Sequence, residues 1–126
     1  MGAFMLRTMC KGKIHRAQVT EARLDYTGSI TIDEELMHAA DINPYELVHI
    51  NNMANAVHWE TYAMPGKAGQ ICLNGCPARL FQPGDEVIIL SLGQFDAAEL
   101  SKFSQKVVFV DDKNAIVSVE MHTLSG

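Results

Sequence analysis

The chain has 126 residues, 48% apolar and 20% charged, a balance that suits one globular domain and excludes a disordered segment. With 10 basic against 15 acidic residues the net charge is −5, which argues against a nucleic-acid binder. The longest strongly apolar run, Val87 to Leu92, falls far short of the roughly 18 residues that a membrane-spanning helix needs.

In chain order, the alternation of apolar and polar residues predicts strands at Leu6 to Gln18, Ser29 to Ile32, Leu47 to Asn51, Ala56 to Met64, Gln70 to Leu73, Glu86 to Ser91, Lys106 to Val110 and Ile116 to Glu120. Turn signals separate them: Thr27-Gly28, Asn43-Pro44, Pro65-Gly66, Asn74-Gly75, Pro83-Gly84-Asp85 and the run Asp111 to Asn114. Short helices are predicted at Asp33 to Ala40, whose acids suit a helix N-terminus, and at Asp96 to Phe103, where Asp96 can cap the first turn. Strands this short and this regularly spaced predict a mainly β domain, a small barrel or sandwich, with two or three short helices. MGAFMLRTMCKGK has no apolar stretch bounded by a small-residue cleavage site, and Met1 to Phe4 read as an extension ahead of Met5. Three cysteines without framework spacing suit a reducing compartment, so a cytoplasmic protein is expected.

Common catalytic signatures are missing: there is no GxGxxG, P-loop, HExxH, GxSxG or CxxC. Cys72 and Cys76 read as buried small side chains and the five histidines show no ligand spacing, so no metal is expected. In a strand, Lys11, Lys13 and His15 face one side while Gly12, Ile14 and Arg16 face the other, an unusually cationic pattern for a half-buried strand. Gly28-Ser29 lies at a turn before a strand, and alone it is ordinary loop chemistry. It also offers a route to an electrophile. The Ser29 hydroxyl can attack the Gly28 carbonyl to form an ester; loss of the Ser29 α-proton then expels the Gly28 carboxylate, and hydrolysis releases ammonia and leaves a pyruvoyl group.

Taken together, MLRTMCKGKIHRAQVTEARLDYTGSITID at 5–33, TYA at 61–63, Asn74-Gly75 and PGDEVIIL at 83–90 resemble the pyruvoyl-dependent aspartate 1-decarboxylases, which convert L-aspartate to β-alanine and CO2 for pantothenate synthesis. The resemblance implies a double-psi β-barrel assembled as a homotetramer with active sites between subunits, and leaves open whether a second protein assists maturation. It implies one domain cleaved into a β-chain, 1–28, and an α-chain, 29–126, whose covalent pyruvoyl cofactor is made from Ser29. The substrate amine then forms a Schiff base with that group. By the same resemblance Tyr62 is the proton donor, Thr61 supports processing and contacts substrate, and Gly75, Cys76 and Pro77 line the substrate loop. Lys13, His15, Tyr26 and Asn74 match further pocket or processing positions.

Two positions depart from the family pattern. His58 stands where an arginine carboxylate clamp is expected, and imidazole lacks the permanently charged fork of guanidinium. Pro77 replaces a residue with a backbone N–H in the substrate loop. Aspartate decarboxylation, with Lys13 and protonated His58 taking over the clamp, is therefore weighed against the same chemistry on a neutral or apolar amino acid such as methionine. A barrel that never matures and only binds ligands is a third reading. Cleavage would divide the charge, giving +3 on 1–28 and −8 on 29–126.

Overall fold

The computed structural model describes residues 4–125. Its elements are β1 (Arg7–Gln18), β2 (Glu21–Arg23), β3 (Ser29–Asp33), α1 (Glu34–Ala39), β4 (Leu47–Asn52), β5 (His58–Gly66), β6 (Ile71–Asn74), a 3-10 turn (Cys76–Arg79), β7 (Glu86–Phe95), α2 (Ala97–Leu100), β8 (Ser104–Val110) and β9 (Ile116–Thr123). The strands pair in the order β2-β6-β3-β5-β4-β7-β1-β8-β9. Only Val19 and Thr20 separate β1 from β2, so two strands distant in that order are tied by a two-residue link. Thr20 N–H donates to Ile71 O at 2.8 Å and Thr20 Oγ1 accepts from Ile71 N–H at 2.9 Å, which curls the sheet into a small, mainly β barrel.

Strand alternation sorts the side chains. Across β1, β7, β4 and β5 the register aligns Ile14, Ile89, Ile50 and Trp59; the three isoleucines are fully buried and Trp59 packs partly against the core. Each buried isoleucine stabilises the fold by roughly 1.5–3 kcal/mol. One residue along, Lys13, Leu90, His49 and Glu60 line up on the opposite, outer face. Ile30, Ile32, Ile71 and Leu73 continue the core from the β3-β6 pair. Asp33 caps α1 by accepting from Glu35 N–H at 2.8 Å and ties the β5–β6 loop by accepting from Gly69 N–H at 2.7 Å. Asp96 caps α2 through a reciprocal pair with Glu99.

Several expectations are corrected. Arg16 does not share the face of Gly12 and Ile14: it has φ +63° at a register shift between Ile14 and Ala17, and its exposed guanidinium pairs with Glu86 at 2.7 Å. Cys76 is exposed in the 3-10 turn, whereas Cys72 is buried and burial pushes its thiol pKa up. The strand Glu21–Arg23 carries no alternating apolar pattern and exists as a parallel partner of β6. Pro65 is tolerated within β5 because the β4 pairing ends at Tyr62, so its missing N–H leaves no ladder bond unmade on that side. Among the described residues no helix is long and apolar enough to cross a membrane. Met1 to Ala3, part of the expected extension, lie outside the described residues.

Gly12 is the tightest point of the barrel, since a Cβ there would lie 1.8 Å from Ala40 O at the end of α1. Gly12→Ala should cost about 3 kcal/mol and lower Tm by roughly 10 °C in a thermal melt. A change within a degree or two would show that α1 does not press on β1.

Candidate active site

The turn after β2 carries Tyr26 and Gly28 against the β6 end and leads into Ser29, the first residue of β3. Ser29 and Asn74 are directly paired across the antiparallel β3-β6 ladder. Asn74 is buried, and its Nδ2 donates to Ser29 Oγ at 3.0 Å and to Thr31 Oγ1 at 3.0 Å, while its Oδ1 accepts from the Cys72 thiol at 3.2 Å. Ser29 is itself only 5% exposed. Its hydroxyl is thus oriented by one carboxamide whose own oxygen is occupied, with Thr27 O a longer contact at 3.5 Å.

Gly75 completes this cluster by lacking a side chain. It has φ +83°, and a Cβ on it would meet Gly28 Cα at 2.8 Å, Gly28 N at 3.1 Å and Tyr26 O at 3.2 Å. Both the backbone conformation and the close approach require glycine. Gly75 N–H donates to Arg23 O at 2.8 Å, which fixes the 3-10 turn against β2. Beyond it Cys76 is exposed and Pro77 buried, with Ala78 N–H closing onto Gly75 O at 3.0 Å. Tyr26 is exposed and its ring lies under the Arg23 guanidinium at 5.9 Å.

The remaining expected site residues lie elsewhere on the barrel. On β5, Tyr62, Glu60 and His58 share the outer face by alternation, while Thr61 points to the side of Val48 and Ala63 is buried. The parallel β3-β5 register pairs Ile30 with Ala63, so Ser29 and Tyr62 each stand one residue earlier on neighbouring strands. Tyr62 stacks on Tyr45, centroids 6.0 Å apart, and Tyr45 is held at φ +71° with its N–H donated to Ala63 O at 2.8 Å. Lys13 and His15 belong to β1, three strands from β5 in the sheet. Lys13 has no salt-bridge partner among the described residues, whereas Lys11 is tied to Glu46 at 3.1 Å and to Ser91 Oγ at 2.6 Å. His15 packs edge-on to Phe109, and its pKa is lowered by burial, with Lys13 and Arg16 adding to the effect, so its ring is neutral at pH 7.

Sequence spacing missed one grouping. His49 and Glu60 are direct cross-strand partners, and His58 lies two residues from Glu60 on the same face. His49 Nε2 approaches Glu60 Oε1 at 3.7 Å and His58 Nε2 approaches Glu60 Oε2 at 3.1 Å. The signal lay in the predicted strands themselves: pairing them as a hairpin around Asn52 to Val57 brings position 49 opposite position 60.

The arrangement supplies a serine hydroxyl aligned by an amide beside a glycine peptide, and a separate outer face carrying a tyrosine, a lysine and two histidines. Comparisons with known proteins point the same way. The family model described as aspartate decarboxylase matches residues 5–117. Proteins named aspartate 1-decarboxylase from Acetivibrio thermocellus and Desulfitobacterium hafniense are each 52% identical over 124 residues, covering 97% of this chain and 98% of theirs. One of the same name from Pelotomaculum thermopropionicum is 53% identical over 97% of this chain and 94% of its own. The serine-glycine cluster therefore sits in a chain that belongs to the aspartate decarboxylase family.

Proposed function

We propose that this chain is a pyruvoyl-dependent amino-acid α-decarboxylase, a carbon–carbon lyase that converts L-aspartate to β-alanine and CO2 in the cytoplasm. The observation that carries the reading is the contact of Asn74 and Gly75 with the Gly28-Ser29 peptide, within a family named for this reaction. Self-cleavage there would give chains 1–28 and 29–126 of one folded domain. Asn74 holds the Ser29 oxygen for attack on Gly28, and the bare Cα of Gly75 lets the Gly28 N and Cα pack directly against the turn. Thr61 would support that step.

A pyruvoyl group made from Ser29 would supply a ketone for the substrate amine and an electron sink for the pair left when CO2 departs. The chain's own residues do the rest. Tyr62, backed by the Tyr45 ring, returns a proton to the substrate carbon; such general acid catalysis contributes about a hundredfold to ten-thousandfold. Lys13, with no salt-bridge partner among the described residues, offers a cation to a substrate carboxylate. The 3-10 turn with Gly75, Cys76 and Pro77 forms one wall, and His58 and Tyr26 bound the opening. Lys13 lies three strand spacings from β5 along the sheet, about 14 Å at 4.8 Å each, which supports a pocket completed between subunits of the homotetramer that the family resemblance implies, with Lys13 and Tyr62 reaching the substrate from different chains.

A second reading keeps the chemistry and changes the substrate to a neutral or apolar amino acid such as methionine. It is favoured by the Glu60 carboxylate against His58, which puts negative charge on the face that would meet a second substrate carboxylate, and by the missing N–H of Pro77. Product analysis with aspartate, glutamate, methionine and leucine offered separately distinguishes the two. Aspartate should give β-alanine at least tenfold faster than any other amine forms; preferential release of the methionine or leucine amine would replace the first reading with the second. Tyr62→Phe should lower kcat by at least a hundredfold and leave the two-chain pattern in a denaturing gel intact. Full activity in that variant would remove Tyr62 as the proton donor.

A further inference from the structure

His49, His58 and Glu60 together form an arrangement that neither the maturation chemistry nor the proton transfer uses. Their three ligand atoms all lie within 4.8 Å of one another, and the carboxylate stands between the rings with one oxygen toward each. The two ring centroids are 5.2 Å apart. Bonds of about 2.0–2.1 Å from nitrogen and oxygen to a tetrahedral ion place neighbouring ligand atoms about 3.3 Å apart. The separations of 3.7 Å from His49 to one Glu60 oxygen and 3.1 Å from His58 to the other lie on either side of that value, so side-chain rotations that bring one oxygen to both nitrogens would close the set around an ion.

The orientation of His58 is set from behind. The Asn51 carboxamide oxygen lies 2.7 Å from His58 Nδ1 and Glu60 Oε2 lies 3.1 Å from Nε2; an ion bound at Nε2 takes the place of any proton on that side, while Nδ1–H keeps the Asn51 oxygen as its acceptor. An amide oxygen that accepts from the far ring nitrogen in this way is the usual support of a metal-bound histidine. Position in the sheet supports the same assignment: all four residues lie on the paired strands β4 and β5, which hold the ligand spacing rigidly, and the face is open enough for an ion to enter.

The geometry points to a site for one divalent first-row transition cation, of the zinc or cobalt class, bound by His49, His58 and Glu60 with Asn51 as positioning residue. Two neutral imidazoles and one carboxylate leave such an ion with a net charge of +1 and at least one open coordination position. Tyr62 stands two residues from Glu60 on the same strand face, so the open position can take a substrate carboxylate there. This last step rests on the decarboxylase reading; binding of the ion does not.

The test is titration of the purified, metal-stripped protein with Co2+, followed by the visible spectrum of the bound ion and by equilibrium dialysis. The expected result is one ion per chain, with affinity at least tenfold weaker in His49→Ala, Glu60→Gln and Asn51→Ala. These side chains sit outside the buried core, so circular dichroism should report the same folded barrel in each variant. No stoichiometric uptake, or uptake unchanged by all three substitutions, would overturn the site. Succinate, which has two carboxylates and no amine, separates the second claim from catalysis. Its addition should change the Co2+ spectrum, and an unchanged spectrum would overturn the carboxylate contact even where decarboxylation proceeds normally.

Discussion

The pairing of Ser29 with Asn74 across the β3-β6 ladder is the constraint on which the rest depends. It converts an ordinary Thr-Gly-Ser turn into one whose hydroxyl is held by a buried amide, with a glycine pressed against the preceding peptide. Neither Asn74 nor Gly75 acts alone. Asn74 is aligned by bonds to Thr31 and from Cys72, and Gly75 is fixed by its N–H to Arg23 O. The three-residue strand β2 thus has a purpose that its composition hides: by lying parallel to β6 it brings the chain leading to Gly28 alongside the turn that begins at Gly75.

The outer face follows a second constraint, the four-strand register that buries Ile14, Ile89 and Ile50. A shift by one residue would turn those isoleucines to solvent, so the register that protects the core also fixes Lys13, His49 and Glu60 in one row on the other side. Electrostatics along that row run from the cation of β1 to the carboxylate of β5. Lys13 comes from the 1–28 segment of net charge +3, and Glu60 from the remainder of net charge −8.

Most of the fold was legible because turn residues and alternation agree. Each predicted strand is present with ends moved by a few residues, and the Asp96 cap of α2 is as expected. What escaped has specific causes. β2 depends on a partner distant in sequence, Arg16 leaves the alternation at a bulge, and Cys76 is lifted outward by a 3-10 turn that its neighbour Pro77 helps to begin. For the candidate site, Gly28, Ser29 and Asn74 could be chosen from the sequence through family resemblance, but the hydrogen bond joining them could not. The histidine pair was overlooked because nine residues separate positions 49 and 58 along the chain, while antiparallel pairing brings their rings within 5.2 Å.

The central claim, that the β3-β6 pairing prepares Gly28-Ser29 for self-cleavage, is tested most directly by intact-mass analysis of freshly purified wild-type protein and Asn74→Ala over time. Wild-type protein should resolve into two chains divided between Gly28 and Ser29, the larger bearing a borohydride-reducible carbonyl at its new N-terminus, while Asn74→Ala persists as one chain at least tenfold longer. A wild-type protein that remains a single chain of precursor mass after prolonged incubation would contradict the account.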